Sequence, residues 1–419
     1  MSDFELVNPV PVEDVPGWLR ALSTTLLGDP YDENFPRRVA YWQRDWPADR
    51  VWGARSGDRY VATLATLPRA ITVPGPDNTT NELVADALTT VSVAATHRRR
   101  GLLTQMITQS LAAAKDRGDP ISILIAAEWP IYGRFGYAPA TRDANYTYFP
   151  RAATAKVTPS GTGSMRQVEA EEFGRLGAAM FDAARRLRSG QVDRPGDWWA
   201  YRYGFDGYLA PREGKLPHHL VREGADGVDG LVAWTVTRDF GLDGSLGQIA
   251  VPVLVAADED AYRDLWSYLS SLDLIGEIKL YDRPVDEPVR WLLPDGRALR
   301  QTYSGDHTWL RLLDVPVALA ARSYAVPGRL IIEVVGDPLG YADGRYRLEA
   351  DSGGATCERA TEPADLRLSA RALAASYLGG HALRQLAAGG GVEELSAGAV
   401  ARADSMFASA LQPWNATGF

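Results

Sequence analysis

The run VSVAATHRRRGLL (91–103) decides how the chain folds. A β-rich segment enters a basic turn, and past Gly101 the segment LLTQMITQSLAAAKDRG (102–118) sets Leu103, Met106, Ile107, Leu111 and Ala114 on one helical face. Gly118 ends that helix and Pro120 prevents its resumption. ISILIAA (121–127) has the length of a buried strand and leads into EWPIYGRFGYAPAT (128–141). Upstream, VWGARSGDRYVATLATLPRAITVP (51–74) reads as a hairpin turning at Ser56-Gly57-Asp58. The order is hairpin, strand, basic turn, helix, strand, an α/β layer. Such a turn points backbone N–H groups from the positive end of a helix dipole, and Arg98, Arg99 and Arg100 add charge; together they suit a pyrophosphate.

The order recurs downstream. After the small-residue connection 154–168, a helix is expected at 169–188, strands at 230–240 and 247–256, a helix at 259–272 and a strand at 276–281. An internal duplication is therefore expected. The equivalent turns differ in charge: Thr96-His97-Arg98-Arg99-Arg100-Gly101 attracts phosphate, whereas Ala256-Ala257-Asp258-Glu259-Asp260-Ala261 repels it. The second copy is expected to be degenerate. From about 288 the pattern changes to a helix (312–323), strands (329–335 and 345–350) and helices (371–388 and 396–410) about the triple glycine 389–391. The domains expected are 1–155, 156–287 and 288–419, the last of α+β type.

The formal charge of −9 argues against nonspecific nucleic-acid binding and leans toward a cationic or neutral substrate. Between positions 1 and 35 seven acids stand against one base, Arg20, which also suits a solvated face. A single cysteine, Cys357, makes no internal disulfide. The opening MSDFELVNPVPVEDV lacks the pattern of a signal peptide, so a cytoplasmic protein is expected, and no apolar run has the length of a membrane helix. His218, His219, His307 and His381 show no metal-ligand spacing, so no metal is expected.

Arg98-x-x-Gly101-x-Leu103 approaches the R/Q-x-x-G-x-G/A signature of GNAT acetyltransferases, departing from it at Leu103. With IYGRFGYAPAT (131–141), the run 91–103 resembles the Eis (enhanced intracellular survival) family of GNAT enzymes. The resemblance extends along the chain: tandem GNAT folds, the second degenerate, then a domain similar to sterol carrier proteins, ending on Phe419. It implies an acetyl-CoA-dependent N-acetyltransferase acting on amines. Val91 and Val93 would pair with the pantetheine arm, and Arg98, Arg99, Gly101 and Leu102 would hold the pyrophosphate. Tyr132 would protonate the departing thiolate and the Phe419 carboxylate would act as general base. The resemblance also implies a homohexamer of two stacked trimers, and an acceptor pocket of aromatic and acidic residues suited to aminoglycosides. Asp32, Glu33, Phe35 and Trp42 are the candidates for that pocket; a solvated lead-in with both aromatics in the core fits those residues equally. Gly418 stands where some relatives carry an acid.

The chemistry needs such groups. An alkyl amine of pKa about 10.4 must lose a proton, the developing oxyanion needs a donor, and the sulfur needs a proton. A phenol of pKa about 10 suits donation to a thiolate of pKa about 8.5. A carboxylate is a useful base only where burial raises its pKa, so the tail must dock; Leu411, Trp414 and Phe419 are the apolar residues that would dock it. His97, inside the turn, is expected to face the cofactor or solvent. Two other readings remain: a protein-lysine or polyamine acetyltransferase, and a noncatalytic acyl-CoA or lipid-binding module. The Asn415-Ala416-Thr417 sequon receives no role in a cytoplasmic protein.

Overall fold

The expected hairpin forms behind a short strand β1 (Glu5–Val7) and helices α1 (Val15–Thr25) and α2 (Phe35–Arg44), as β2 (Val51–Ser56) and β3 (Arg59–Pro74). β4 (Thr80–Val93) follows, then α3 (Leu102–Asp116), β5 (Ile121–Ile125), the one-turn α4 (Trp129–Tyr132) and β6 (Ala138–Pro139). The apolar stripe explains α3: Leu102, Met106, Ile107, Leu111 and Ala114 are fully buried against Trp52, Leu64, Leu88 and Leu124 of the sheet. Truncating one of the large members, Ile107→Ala for instance, would cost about 2–5 kcal/mol.

This computed structural model describes residues 4–44, 46–151, 156–196, 198–199 and 217–419. The chain divides into two units, one holding the chain up to Thr141 with His307–Ala410 and Gly418–Phe419, the other Arg142–Asp306 with Leu411–Thr417.

In the second unit, β7 (Arg142–Tyr148) and β8 (Ser164–Gln167) precede α5 (Ala170–Arg185), the hairpin β9 (His218–Gly224) and β10 (Gly227–Arg238), then β11 (Gly247–Ala256), α6 (Glu259–Ser271), β12 (Ile275–Arg283) and β13 (Leu299–Asp306). The sheet order is β13-β7-β12-β11-β10-β9-β8. The expected boundaries at 155 and 288 are corrected here. β7 pairs with β12 through Tyr148–Ile278 and Tyr146–Leu280, and β13 pairs with β7 from Leu299–Tyr148 to Asp306–Arg142. Both strands belong to the middle sheet because their backbone ladders are made there.

The chain then returns to the first unit. β14 (Thr308–Leu312) inserts between β5 and β6, giving the order β1-β2-β3-β4-β5-β14-β6. α7 (Val315–Ala321) leads to β15 (Gly328–Val335), β16 (Gly344–Asp351), β17 (Gly354–Arg359) and β18 (Leu366–Ser369), then α8 (Ala370–Ser376), α9 (Leu383–Ala388), β19 (Val392–Glu394) and α10 (Ala399–Phe407). These strands form a second sheet, β17-β16-β15-β18-β19. The helix expected over 371–388 is two short ones. Gly379 breaks it at φ +86°, where a Cβ would lie 2.8 Å from the Phe407 carbonyl oxygen. Among the described residues no helix is long and apolar enough to cross a membrane.

Candidate functional site

β4 is paired on one side by β3 and on the other by β5, and the two ladders end in different places. The parallel ladder with β5 runs only from Ala85–Ile121 to Leu88–Leu124 among the described residues. The ladder with β3 continues to Ala62–Val93, but between the pairs Ala65–Thr89 and Thr63–Ser92 the single residue Leu64 faces both Thr90 and Val91. This is a β-bulge, and Thr90 sits in it at φ +53°. The Thr63 hydroxyl holds it by donating to the Thr90 carbonyl at 2.7 Å. Past the bulge β4 diverges from β5, so Val91 and Val93, both half-buried, stand on a strand that has left its parallel neighbour. An extended amide-bearing arm can pair with backbone of that kind.

The basic turn lies at the end of this diverging segment. Arg99 takes φ +64° and Gly101 φ +82°, and the chain enters α3 directly after Gly101. Gln105 N–H makes the first helical bond, to the Gly101 carbonyl at 3.0 Å, so the N–H groups of Leu102, Leu103 and Thr104 precede the helical ladder. Arg98 and Arg99 are exposed; Arg98 Nε also donates to the Val93 carbonyl at 3.3 Å, tying the turn to the strand before it. The Leu102 side chain is buried, so only its backbone can serve an anion. His97 is half-buried with Nδ1 at 2.8 Å from the Thr96 hydroxyl.

Tyr132 shares a core cluster with Leu88, Leu102 and Leu124, against which Val91 and Val93 also pack. Burial, with Glu128 nearby, raises its phenol to about 12. That corrects the ordinary value of 10 expected from sequence: the phenol stays protonated at every physiological pH and is a weaker acid than supposed. The turn after it is held by residues whose contribution the sequence does not disclose. Arg311, fully buried on β14, donates to the Phe135 carbonyl and pairs with Asp337 at 2.7 Å. Gly136 takes φ +83° beside it, and a Cβ there would lie 2.6 Å from the Arg311 Nη1.

Phe419 is half-buried, and one of its carboxyl oxygens accepts a hydrogen bond from the Thr89 hydroxyl at 3.0 Å. Thr89, the residue immediately before the bulge, has no signal in the sequence; only the folded chain brings positions 89 and 419 together.

The acceptor candidates fare differently. Asp32 pairs with Arg38 at 2.7 Å and accepts the Asn34 N–H at 2.8 Å, so its carboxylate organises the start of α2. Phe35 is buried in the core of the amino-terminal helices, with Arg20 and Arg38 guanidiniums 5.1 and 5.5 Å from its ring centre. Trp42 packs at a tilt against Trp18 and edge-on against Trp46. Asp32, Phe35 and Trp42 thus take part in the packing and the lead-in of the amino-terminal helices. Glu33 is exposed.

The middle unit repeats the geometry without the chemistry. Its parallel ladder β11–β12 ends at Val251–Leu280, and β11 bulges at Val251-Pro252 opposite Trp234. Two internal groups stand where a ligand would bind the first copy. Asp258 Oδ1 accepts the Ala261 N–H at 2.8 Å and caps α6 with a negative charge, and Arg283 Nη1 donates to the Leu254 carbonyl at 3.1 Å across the divergence. A cavity of about 610 Å³ remains beside them, lined in part by Val253, Arg283 and Trp414; none of the sequence-predicted site residues borders it. Among the described residues no group of three or more His, Cys, Asp or Glu side chains could hold a metal ion.

Residues 7–140 match a model of the acetyltransferase (GNAT) domain, 190–312 match a second such model, and 315–416 match the sterol carrier protein domain. The chain is 38% identical over 405 residues to an N-acetyltransferase of Streptomyces griseus, covering 95% of each sequence. It is 31% identical over 384 residues to N-acetyltransferase Eis of Mycobacterium tuberculosis, covering 89% of this chain and 90% of that one. The crystal structure of Eis1 from Mycobacterium abscessus superimposes with a TM-score of 0.84 at 29% identity, over 99% of this chain and 100% of that one.

Proposed function

Since the chain belongs to the Eis family of GNAT N-acetyltransferases, we propose that it transfers acetyl from acetyl-CoA to a cationic alkyl amine at the β4 divergence. The observation that carries this reading is the bulge at Thr90, which parts β4 from β5 at one end of a segment whose other end is the basic turn. The residues fit the co-substrate: Val91 and Val93 offer backbone to the pantetheine arm, and the N–H groups after Gly101 with Arg98 and Arg99 suit the pyrophosphate.

In this reading the amine nitrogen attacks the thioester carbonyl, a C–N bond forms and the C–S bond breaks. The Phe419 carboxylate takes the amine proton, and the phenol of Tyr132 gives its proton or a strong hydrogen bond to the leaving sulfur. Burial holds the Tyr132 phenol well above a thiol of about 8.5, so it yields a hydrogen bond to the leaving sulfur more readily than its proton. Hydrogen-bond stabilisation of the thiolate is therefore its main contribution, with water completing the protonation. No covalent enzyme intermediate is invoked, and Cys357 lies on β17, its thiol pushed up by burial to about 12.

A net charge of −9 and the Glu128 carboxylate, close enough to act on the Tyr132 phenol, favour a cationic acceptor. Polycationic amines of the aminoglycoside kind are the first class to try, with polyamines and lysine peptides beside them. The family resemblance further supports assembly as a hexamer, which sedimentation would check. Incubation with acetyl-CoA and that amine panel, read by free thiol release, tests the proposal. Amine-dependent release supports it, and no release with any amine, from folded protein that binds acetyl-CoA, would leave an acyl-CoA-binding module.

A further inference from the structure

Thr90 stands in the left-handed region at φ +53°, a conformation that glycine adopts freely and a β-branched residue rarely. Its neighbours across the ladder hold it there. The Thr63 hydroxyl donates its one proton to the Thr90 carbonyl at 2.7 Å, and its oxygen lies 2.7 Å from the Ser92 hydroxyl. With the Thr63 proton so committed, Ser92 is the donor of the second bond. The result is a chain of two hydroxyls that runs from Ser92 on β4 to Thr63 on β3 and back to the Thr90 carbonyl, spanning the bulge. Both side chains are buried, Thr63 fully. Strand alternation sets Thr63 on the face of β3 where Ala65, two residues on, packs with Trp18 and Phe35 of the amino-terminal helices. An apolar side chain would be ordinary at such a position, so the hydroxyl there calls for a reason.

The bulge is also where the proposed chemistry meets. Val91, the residue after Thr90, carries backbone for the pantetheine arm, and Thr89, the residue before, donates to the Phe419 carboxylate. The Thr90 hydroxyl donates to the Thr89 carbonyl at 2.7 Å, so a displacement of residue 90 carries its neighbour along. Backbone strain of this kind persists only where the surroundings over-determine it. We propose that Thr63 and Ser92 are positioning residues for acetyl transfer, their hydroxyl chain holding Thr90 left-handed and so fixing where β4 leaves β5; this rests on the reading of that divergence as the acetyl-CoA cleft. Neither hydroxyl touches a reactant. Without the chain β4 relaxes toward a regular strand, and loss of a bulge shifts the register by one residue and turns each following side chain to the other face. Val91 and Val93, which pack against the cluster containing Tyr132, would then leave it.

Thr63→Val keeps the shape and the β-branching and removes the hydroxyl, whereas Thr63→Ser keeps the hydroxyl. Calorimetric titration should show acetyl-CoA affinity about tenfold weaker in Thr63→Val, and thiol release a kcat about 10- to 100-fold lower, the range a small misplacement produces. Thr63→Ser should stay within about threefold of wild type in both. The discriminating variant is Thr63→Val combined with Thr90→Gly. Glycine takes the left-handed backbone without support, so affinity and turnover should return to within about threefold of wild type. A defect of core packing at position 63 would pass unrelieved into the double variant. Affinity and turnover within about twofold of wild type in Thr63→Val, or no rescue by glycine, overturns the proposal. If Thr63→Val does not fold, the double variant is read alone: folded protein with near-wild-type affinity supports the proposal, and a double variant that fails to fold or to bind acetyl-CoA overturns it. Wild-type protein that binds no acetyl-CoA would remove the reading of the cleft, whereas wild-type binding that Thr63→Val leaves intact overturns the role of the hydroxyl chain alone.

Discussion

The Thr89 hydroxyl donates to a carboxyl oxygen of Phe419 at 3.0 Å, one residue before the left-handed Thr90 at which β4 leaves β5. The bond puts the carboxylate at the bulge, where the proposed thioester would lie. A hydrogen bond to a charged group contributes about 1.5–3 kcal/mol, at the lower end a factor of about ten. Thr89→Val, isosteric and β-branched like the residue it replaces, should lower kcat about tenfold and leave acetyl-CoA affinity unchanged. Thr89→Ser should be nearly wild type. Equal turnover in Thr89→Val and wild type would show that the bond does not serve catalysis.

The turn at Arg98 and Arg99 should act on affinity rather than on saturated turnover. Replacing both by alanine adds no backbone strain, since alanine and arginine meet the φ +64° of position 99 on equal terms. Each lost charge-assisted phosphate contact is worth at most about 1.5–3 kcal/mol, so the dissociation constant for acetyl-CoA should rise at least tenfold. Because both side chains are exposed, added salt should narrow the difference. Calorimetric titration giving affinity within twofold of wild type would move the pyrophosphate elsewhere.

Local pattern made much of the first sheet legible. The helix after Gly101 follows from Met106, Ile107 and Leu111 at helical spacing, and the hairpin from the Gly57-Asp58 turn. The bulge was not legible, because Thr90 and Val91 face Leu64 only through a pairing made across some 26 residues of chain. Nor was the exchange of β7, β13 and β14 between sheets, which long-range ladders decide. Asp32, Phe35 and Trp42 have a composition equally suited to a pocket or to a packed helix, and their contacts with Arg38, Arg20 and Trp18 become visible only in the fold. Docking of the tail was expected from its apolar residues, yet Leu411 is 48% exposed while Asn415 and Thr417 are fully buried; polar anchoring leaves no periodic trace.

The middle unit should bind no acetyl-CoA. Asp258 presents a carboxylate where the first copy presents arginines, and Arg283 bonds the Leu254 carbonyl that a pantetheine arm would need. Titration calorimetry should count one acetyl-CoA per chain. Two equivalent sites would contradict the degeneracy of this copy.

Asp86, fully buried on β4 between Arg50 and Arg117, is raised from 3.8 to about 6, chiefly by burial. A raised folded-state value means that the native protein holds this proton more tightly than the unfolded chain does. Its contribution is therefore fully present below about 3.8 and lost as pH rises through about 6. Asp86→Asn, fixed in the neutral form, should remove that downward component between pH 4 and 6. Urea midpoints measured across that interval check it, and parallel curves for the two proteins would count against the assignment.

The central claim is that the Phe419 carboxylate accepts the amine proton, and it is tested most directly by appending a few residues after Phe419. Every side chain is retained, and only the charge is displaced. General-base catalysis contributes about 10²–10⁴-fold, so amine-dependent thiol release at pH 7 should fall within that range while folding and acetyl-CoA affinity are preserved. An extended chain that turns over at the wild-type rate would contradict the account and send the search for the base to ordered water or to His97.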